Sequence, residues 1–172
     1  MPWPGNKMGN KKMKTLILYA SKNGCAEDAA KYFANKLSPN ADCFDLRKYG
    51  DKDMREYDWV VTGGSVYAGQ VMKEAVRFCE QNASTLLTKN IALFVSCTTP
   101  DRAVKYMQNA FPAAVFSHAT EKINFGGEIR PEKLSFLMRK AMELMSKRSG
   151  GSGKTGIAYD VIDAFTARIG KV

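Results

Sequence analysis

The chain has 172 residues, of which 45% are hydrophobic and 25% charged, as expected for a globular protein with a single domain. No apolar run approaches the roughly 20 residues that a membrane-spanning helix needs. The formal net charge of +9 suits an acidic partner or an anionic surface. The sequence has no zinc-finger spacing or RNA-recognition signature, so we expect no specific nucleic-acid binding.

The N-terminal segment and the cysteines bear on cellular location. Residues 1–13 carry charges and glycines without an apolar stretch of signal-peptide length, so we predict a flexible leader before one domain over residues 14–172. Four widely spaced cysteines and a single histidine argue against a disulfide framework or a zinc site. Reduced thiols and the lack of a signal peptide predict a cytoplasmic protein.

Residues 15–26 are predicted to form a buried strand, a short polar loop and the start of a helix. Apolar residues at helical spacing from Ala26 to Leu37 put one face of that helix on a core. The first N–H groups of a helix lack internal partners, and the helix dipole adds positive potential there. We therefore predict that the first loop, residues 21–26, binds a phosphate.

Four more strands are predicted along the chain. They cover residues 42–46, 59–62, 91–97 and, as one interrupted last strand, 113–118 with 122–125. The second loop, residues 63–70, follows the third strand and is rich in glycine. The third loop, residues 96–100, follows the fourth strand, and its Thr99 is predicted to cap the next helix.

Two long helices are predicted near the C-terminus. Residues 158–169 form a closing helix, and residues 131–147 form a helix before it. In the earlier helix we expect a buried stripe and a solvated basic side, and contact with a membrane surface is the alternative. The stripe consists of Leu134, Leu137, Met138, Ala141, Met142 and Met145.

Strands that alternate with helices, and that are apolar throughout, predict a parallel sheet covered on both faces. We expect a three-layer α/β sandwich whose five strands have the order 2-1-3-4-5. In such a sheet ligands bind beyond the carboxyl ends of the strands, where the order reverses. The first, second and third loops all belong to that edge, and their Gly, Ser, Thr and Asn residues offer backbone amides and hydroxyls.

The first loop, Ser21-Lys22-Asn23-Gly24-Cys25-Ala26, resembles the FMN phosphate loop of the flavodoxin family. Residues 59–69 and Phe125-Gly126-Gly127 are similar to the subgroup that includes the bacterial flavodoxin-like protoporphyrinogen oxidase. One departure is Ala26, which stands where the family pattern has a threonine. A hydrogen bond is worth about 0.5–1.5 kcal/mol, so its loss weakens phosphate binding without abolishing it.

The resemblance implies a flavodoxin-like fold with FMN as cofactor. It implies that Tyr67 stacks on the flavin and that the opposite ring face is open, since no aromatic residue closely follows Cys97. We assign no catalytic residue, because the flavin carries the chemistry. The cofactor contacts that it implies are Ser21, Lys22, Asn23, Gly24, Cys25, Ala26, Ser65, Val66, Tyr67, Ala68, Gly69, Ser96, Cys97, Thr98 and Thr99.

Three functions remain open on the sequence. The favoured one is an electron carrier that docks on redox partner proteins, and the positive charge suggests acidic ones. The second is an FMN-dependent oxidoreductase on a small substrate such as a porphyrinogen or a quinone. A protoporphyrinogen oxidase of this type has a long insertion between the last two predicted strands, whereas here one helix length separates Cys97 from Ala113. The third is a cofactor-free interaction module.

Overall fold

The computed structural model of the protein describes residues 12–50, 52–146 and 156–170, and its centre is a parallel sheet. The order along the sheet is β2-β1-β3-β5-β6, with β4 paired antiparallel to β3, which confirms the predicted order of the five main strands. The strands are β1 (Thr15–Ala20), β2 (Ala41–Asp45), β3 (Trp59–Tyr67), β4 (Gln70–Val71), β5 (Asn90–Ser96) and β6 (Glu121–Asn124).

Eight helices in the described residues surround the sheet. They are α1 (Cys25–Leu37), α2 (Leu46–Tyr49), α3 (Lys73–Gln81), α4 (Ala83–Leu86), α5 (Ala103–Ala110), α6 (Ala113–His118), α7 (Phe136–Ser146) and α8 (Tyr159–Ile169). Single 3-10 turns cover residues 100–102 and 131–133. A second, two-stranded antiparallel sheet joins β7 (Gly126–Gly127) to β8 (Gly156–Ile157).

Two hydrophobic cores lie on opposite faces of the sheet, and this confirms the three-layer prediction. On one face, α1 and α8 cover β1 and β5, with Phe33, Phe165 and Phe94 fully buried. On the other face, α3 and α5 cover the same strands through residues such as Cys79 and Met107. Strands packed on both faces need apolar side chains in both directions, which explains their continuous apolar runs.

The last predicted strand is partly wrong, because residues 113–118 form helix α6. Ala113 and Ala114 favour a helix, and Pro112 occupies the N-cap position, so the local preferences outweigh the apolar character of the run. The amide of Phe116 donates to the carbonyl of Pro112 at 2.9 Å. The strand itself begins only at Glu121.

Strand β3 is longer than predicted and includes residues 63–67 of the second loop. Gly63 and Gly64 pair with β1 and β5 in register and make no turn. A Cβ on Gly63 would lie 1.8 Å from the carbonyl oxygen of Phe94, and one on Gly64 would lie 2.5 Å from that of Ala20. These glycines are therefore required by the close approach of neighbouring backbone.

The prediction of a buried stripe on the helix after residue 131 is wrong, because none of its described side chains is buried: Leu134, Met138 and Met142 are only half-buried, and the burial of Met145 lies outside what the structure describes. Leu137 is 80% exposed and Ala141 is exposed, and the α-helix begins at Phe136 after the 3-10 turn. Because α1, α3, α5 and α8 already cover both sheet faces, no core surface remains for α7. The apolar residues of α7 do recur at helical spacing, but Phe136 and Leu144, outside the stripe, face solvent as well.

The predicted leader lies outside the described residues up to residue 11. Residues 12–14 are described, and Lys14 forms ion pairs with Glu56 at 2.9 Å and Asp42 at 3.3 Å. The part of the chain that connects β7 to β8 spans residues 128–155, of which 128–146 are described.

Candidate functional site

The first loop is built by the end of β1 and the start of α1. Ser21 is buried, and its Oγ accepts a hydrogen bond from the amide of Gly24 at 3.0 Å. Gly24 is the N-cap of α1 at φ +88°, a left-handed conformation that suits glycine, and no side chain caps the helix. The amides of Cys25, Ala26 and Glu27 precede the first intrahelical bond, which runs from Asp28 to Gly24.

The second loop is reduced to a tight turn between β3 and β4. Tyr67 pairs with Gln70, and the two residues between them, Ala68 at φ +48° and Gly69 at φ +75°, both have left-handed backbone. This is the pattern of a type I′ hairpin. Ser65 and Val66 lie on the strand just before it, and the carbonyl of Ser65 accepts from the amide of Met72 at 3.0 Å.

Tyr67 lies between the first loop and helix α7. The Nζ atom of Lys22 is 3.3 Å from the centre of its ring, a cation–π contact. Its hydroxyl donates to Sδ of Met138 at 3.1 Å. Lys22 therefore reaches the aromatic ring of the second loop, and α7 lies over the carboxyl edge of the sheet at this point.

The third loop is held by Asn124, a residue that the sequence reasoning did not select. Its side chain accepts from the amide of Cys97 and donates to the carbonyl of Cys97, both at 3.2 Å. It also accepts from the amide of Gly126 at 3.1 Å. A Cβ on Gly127 would lie 2.7 Å from the amide nitrogen of Thr98, so β7 runs directly against this loop.

Ser96 has a structural contact in this arrangement. It is 5% exposed, and its hydroxyl donates to the carbonyl of Gly126 at 2.5 Å. A hydroxyl has one hydrogen, so the sulfur of Cys25, 3.5 Å from the same oxygen, is a close neighbour and not a second acceptor. This bond joins the third loop to β7.

Thr99 does not cap through its side chain as predicted. It precedes the 3-10 turn at residues 100–102, and no side-chain capping bond forms. Its hydroxyl instead lies 3.5 Å from the hydroxyl of Tyr106 on α5. A Cβ on Gly69 would lie 3.8 Å from the ring of Tyr106, so this aromatic side chain borders both the second and the third loop.

Two basic side chains that the sequence reasoning missed lie over the first loop. Nη1 of Arg130 and Nζ of Lys133 are each 3.0 Å from the position that a Cβ on Gly24 would occupy. Arg130 is further bound to Asp28 of α1 through Nη2 at 2.7 Å. No local sequence signal links residues 130–133 to residue 24, since the contact is made by tertiary structure.

Both cysteines of the predicted site are buried. Cys25 is 5% exposed at the start of α1, and Cys97 is 6% exposed in the third loop. The Cys97 sulfur lies 3.5 Å from the carbonyl of Thr99. Burial raises the pKa of the Cys97 thiol, and it raises that of Cys79 to about 12. The Cys97 and Cys79 side chains are therefore held in the unreactive thiol form at neutral pH.

The structure thus brings the three loops to one edge of the sheet. The first two loops touch through Lys22 and Tyr67, and the amide of Lys22 lies 3.5 Å from Oγ of Ser65. The first and third loops meet at Cys25 and Ser96. A separate cavity of about 410 Å³ lies between α2 and α3, and no residue of the three loops lines it.

Comparison with known proteins identifies the family. A family model described as a flavodoxin domain matches residues 16–155, so the chain belongs to the flavodoxin domain family. The structure is similar to a WrbA-like flavodoxin protein from Agrobacterium tumefaciens, with a TM-score of 0.52, 12% identity, and coverage of 91% of this chain and 98% of that one. This likeness shows the fold.

Other solved structures are also similar. A flavodoxin of Streptococcus pneumoniae has 20% identity and a TM-score of 0.45, and the match covers 77% of this chain and 98% of that one. A flavoprotein from Lactobacillus acidophilus, solved in complex with FMN, has 16% identity and a TM-score of 0.45, with coverage of 66% and 91%. None of the curated proteins compared with the chain matches it.

Within residues 12–50, 52–146 and 156–170, no group of three His, Cys, Asp or Glu side chains is placed to hold a metal ion. Across those ranges, no helix has both the length and the apolar character to cross a membrane.

Proposed function

We propose that the protein binds FMN at the three-loop edge and carries electrons between proteins. The observation that carries the proposal is the first loop: a glycine in left-handed conformation opens α1, and the next three amides have no helical acceptor. This arrangement suits a phosphate monoester. The flavodoxin domain match over residues 16–155 supports the same ligand.

The other two loops fit a flat aromatic ring system. Tyr67 on the second loop and Tyr106 on α5, which borders the third loop, supply aromatic side chains, and the hairpin turn at Ala68 and Gly69 is exposed. Bound FMN supplies one- and two-electron transfer. The protein's part is to hold the phosphate, to flank the ring and to set the polarity around it. We propose that the cofactor contacts are those named from the sequence, with Ser96 acting through its bond to Gly126.

A visible spectrum of the purified protein tests the proposal. We expect flavin absorption bands, with FMN released by acid and taken up again by the apoprotein. A colourless protein that takes up no added FMN would contradict it and favour an interaction module.

Gly24→Asp tests the first loop. We expect loss of FMN binding, because the new carboxylate adds negative charge at the phosphate and lies within reach of Arg130 and Lys133, which it would pair with. Binding is measured by quenching of flavin fluorescence. The control is Gly50→Asp, since Gly50 also has positive φ (+66°) but open space around it, so the variant adds the same charge at a second glycine of positive φ away from the first loop. Equal affinity in both variants would argue against the loop assignment.

Acidic redox proteins are the partners that we propose. Basic side chains lie at the site on the first loop and next to it in space, namely Lys22, Arg130 and Lys133. Steered association of opposite charges slows with ionic strength. We expect the rate of reduction by an acidic ferredoxin or reductase to fall as salt is added, whereas a rate that salt leaves unchanged would contradict this partner class.

A second candidate is an FMN-dependent oxidoreductase similar to the flavodoxin-like protoporphyrinogen oxidase. The observation that favours it is the long connection at residues 128–155, whose described part lies over Tyr67 through Met138. The insertion expected between Cys97 and Ala113 is absent, but a long connection is present one strand later. Turnover of a porphyrinogen or a quinone without a partner protein would favour this enzyme over the carrier.

We also propose that the protein works in the cytoplasm. The four cysteines are free, and Cys25, Cys79 and Cys97 are buried as thiols. Free thiols are typical of a reducing compartment. Fractionation of cells that express the tagged protein checks this proposal, and recovery in an oxidising compartment would contradict it.

A further inference from the structure

We propose that Arg130 and Lys133 form a cationic clamp over the first loop, and that this clamp selects flavins that end in a phosphate monoester. The inference rests on the proposed binding of FMN. It assigns a role to residues that lie outside the three loops and outside the sequence motif.

The side chains of Arg130 and Lys133 converge on one point above Gly24. Arg130 precedes the 3-10 turn at residues 131–133, and Lys133 ends it, with the amide of Lys133 bound to the carbonyl of Arg130 at 3.0 Å. Nη1 of Arg130 and Nζ of Lys133 lie 3.0 Å from the same point above Gly24. The turn therefore places two positive charges side by side at the start of α1.

The guanidinium of Arg130 is held in a fixed orientation. Its Nη2 donates to Asp28 at 2.7 Å and its Nε donates to Glu128 at 3.2 Å, and its side chain is only 19% exposed. Two carboxylates thus fix the plane of the guanidinium. Nη1, the nitrogen above Gly24, forms neither of these bonds, so its donors remain for a ligand.

Lys133 differs from Arg130 in its contacts. Its ammonium has no hydrogen-bond or ion-pair partner among the residues that the structure describes, although its backbone is held by the turn. Among the described residues, no ion pair with a carboxylate therefore holds the Lys133 ammonium above Gly24. The positive end of the α1 dipole, Nη1 of Arg130 and Nζ of Lys133 repel one another unless an anion lies between them.

This arrangement of positive charge favours one class of ligand. A phosphate monoester carries close to two negative charges at neutral pH and has several acceptor oxygens, so it can bind α1 amides and both cations at once. The clamp also offsets the hydroxyl that is missing at Ala26. Lys22 does not serve this purpose, since its ammonium lies on the ring of Tyr67.

The test compares FMN with riboflavin, which lacks the phosphate. Dissociation constants are measured by fluorescence quenching for the wild type, Arg130→Gln, Lys133→Gln and the double variant. Charge-assisted hydrogen bonds are strong, so we expect the double variant to bind FMN at least about tenfold more weakly. Riboflavin affinity should stay within about twofold of the wild type, because no phosphate contact is lost.

A matched double variant controls for charge and folding. Arg168→Gln with Lys36→Gln removes two ion-paired cations, bound to Glu121 and Asp163, from the outer surface of α8 and the far end of α1. We expect it to bind FMN like the wild type. Thermal melting of all variants verifies that they are folded, and Arg130→Lys should recover part of the affinity by restoring the charge.

The outcomes separate the two proposals. A wild type that binds neither flavin overturns the proposed function itself. A wild type that binds FMN, with variants that lose FMN and riboflavin affinity equally or keep both, leaves the function standing and overturns the clamp. Selective loss of FMN affinity in the clamp variants alone supports it.

Discussion

Thr62 carries a buried polar group without a partner. It lies at the centre of β3 with no exposed surface, and its hydroxyl oxygen has no hydrogen-bond partner in the described structure. A buried hydroxyl in this situation costs about 1–3 kcal/mol relative to one that is paired.

Replacing Thr62 with valine should therefore stabilise the protein. We expect Thr62→Val to raise the free energy of unfolding by about 1 kcal/mol, because the methyl group fills the same space without the cost of desolvation. Denaturant unfolding measures the change. Thr120→Val is the control, since the Thr120 hydroxyl binds the carbonyl of Ile91 at 3.2 Å and its loss should destabilise or be neutral. A destabilised Thr62→Val would show that the hydroxyl is satisfied in solution.

For single residues, the sequence indicates which ones could bind a ligand only where those residues lie in the same short segment of the chain. Ser21 and Gly24 are three residues apart, so the turn that joins them could be predicted from the sequence of that segment. Asn124, Tyr106 and Arg130 reach the site from other elements, and nothing in their neighbouring residues marks them. Spatial proximity of this kind depends on how the elements pack.

Among the elements, the β3–β4 hairpin carries backbone strain at Ala68. Its φ of +48° is uncommon for a residue with a Cβ, while Gly69 next to it accepts such a conformation readily. A turn of this type favours asparagine or glycine at both central positions.

We expect Ala68→Gly to raise the free energy of unfolding by about 0.5–1 kcal/mol, since it relieves the left-handed strain. Thermal or denaturant unfolding measures the effect. Ala164→Gly, at an exposed position within α8, makes the same chemical change in ordinary helical backbone and should destabilise by about 1 kcal/mol. If both variants lose stability alike, Ala68 is not strained in solution.

The errors in the predicted elements share a physical cause. A short apolar run such as residues 113–118 fits a strand or a helix, and only the helix preference of its alanines distinguishes them. The apolar stripe on α7 is periodic, but periodicity identifies one face of a helix and does not show whether another element packs against that face. Strand β1 and helix α1 were predicted well because pattern, glycine and capping position agree within one segment.

For the molecule as a whole, acid stability depends on the link between β2 and the chain before β3. Asp42 accepts a hydrogen bond from the hydroxyl of Tyr57 at 2.7 Å and pairs with Lys14 at 3.3 Å. The Tyr57 bond, helped by Lys14, holds the pKa of Asp42 below its ordinary value of 3.8. The unfolded state therefore binds a proton more readily than the folded state does.

The stability from Asp42 is present above its ordinary pKa and is lost as the pH falls through the lower folded-state pKa. We expect Asp42→Asn to lower the free energy of unfolding at pH 7. We also expect the variant to lose less stability than the wild type between about pH 5 and pH 2, the range over which such a carboxylate takes up its proton. Unfolding free energies across that range measure it. Glu80→Gln, on the exposed side of α3, is the control and should leave the slope unchanged. An unaltered slope in Asp42→Asn would contradict the linkage.

The bond from the Gly24 amide to Oγ of Ser21 has a consequence for the chemical lifetime of the protein. In asparagine followed by glycine, as at Asn23-Gly24, the glycine nitrogen attacks the side-chain carbonyl carbon and ammonia leaves, and water then opens the resulting succinimide to aspartate or isoaspartate. The bond holds that nitrogen in place, and a ligand on the first loop would restrain it further. We expect stored apoprotein to deamidate at Asn23 faster than flavin-loaded protein, as peptide mass mapping would show; equal rates would exclude protection by the ligand. The new carboxylate would stand beside the phosphate position, so molecules aged without cofactor would lose the capacity to be reloaded.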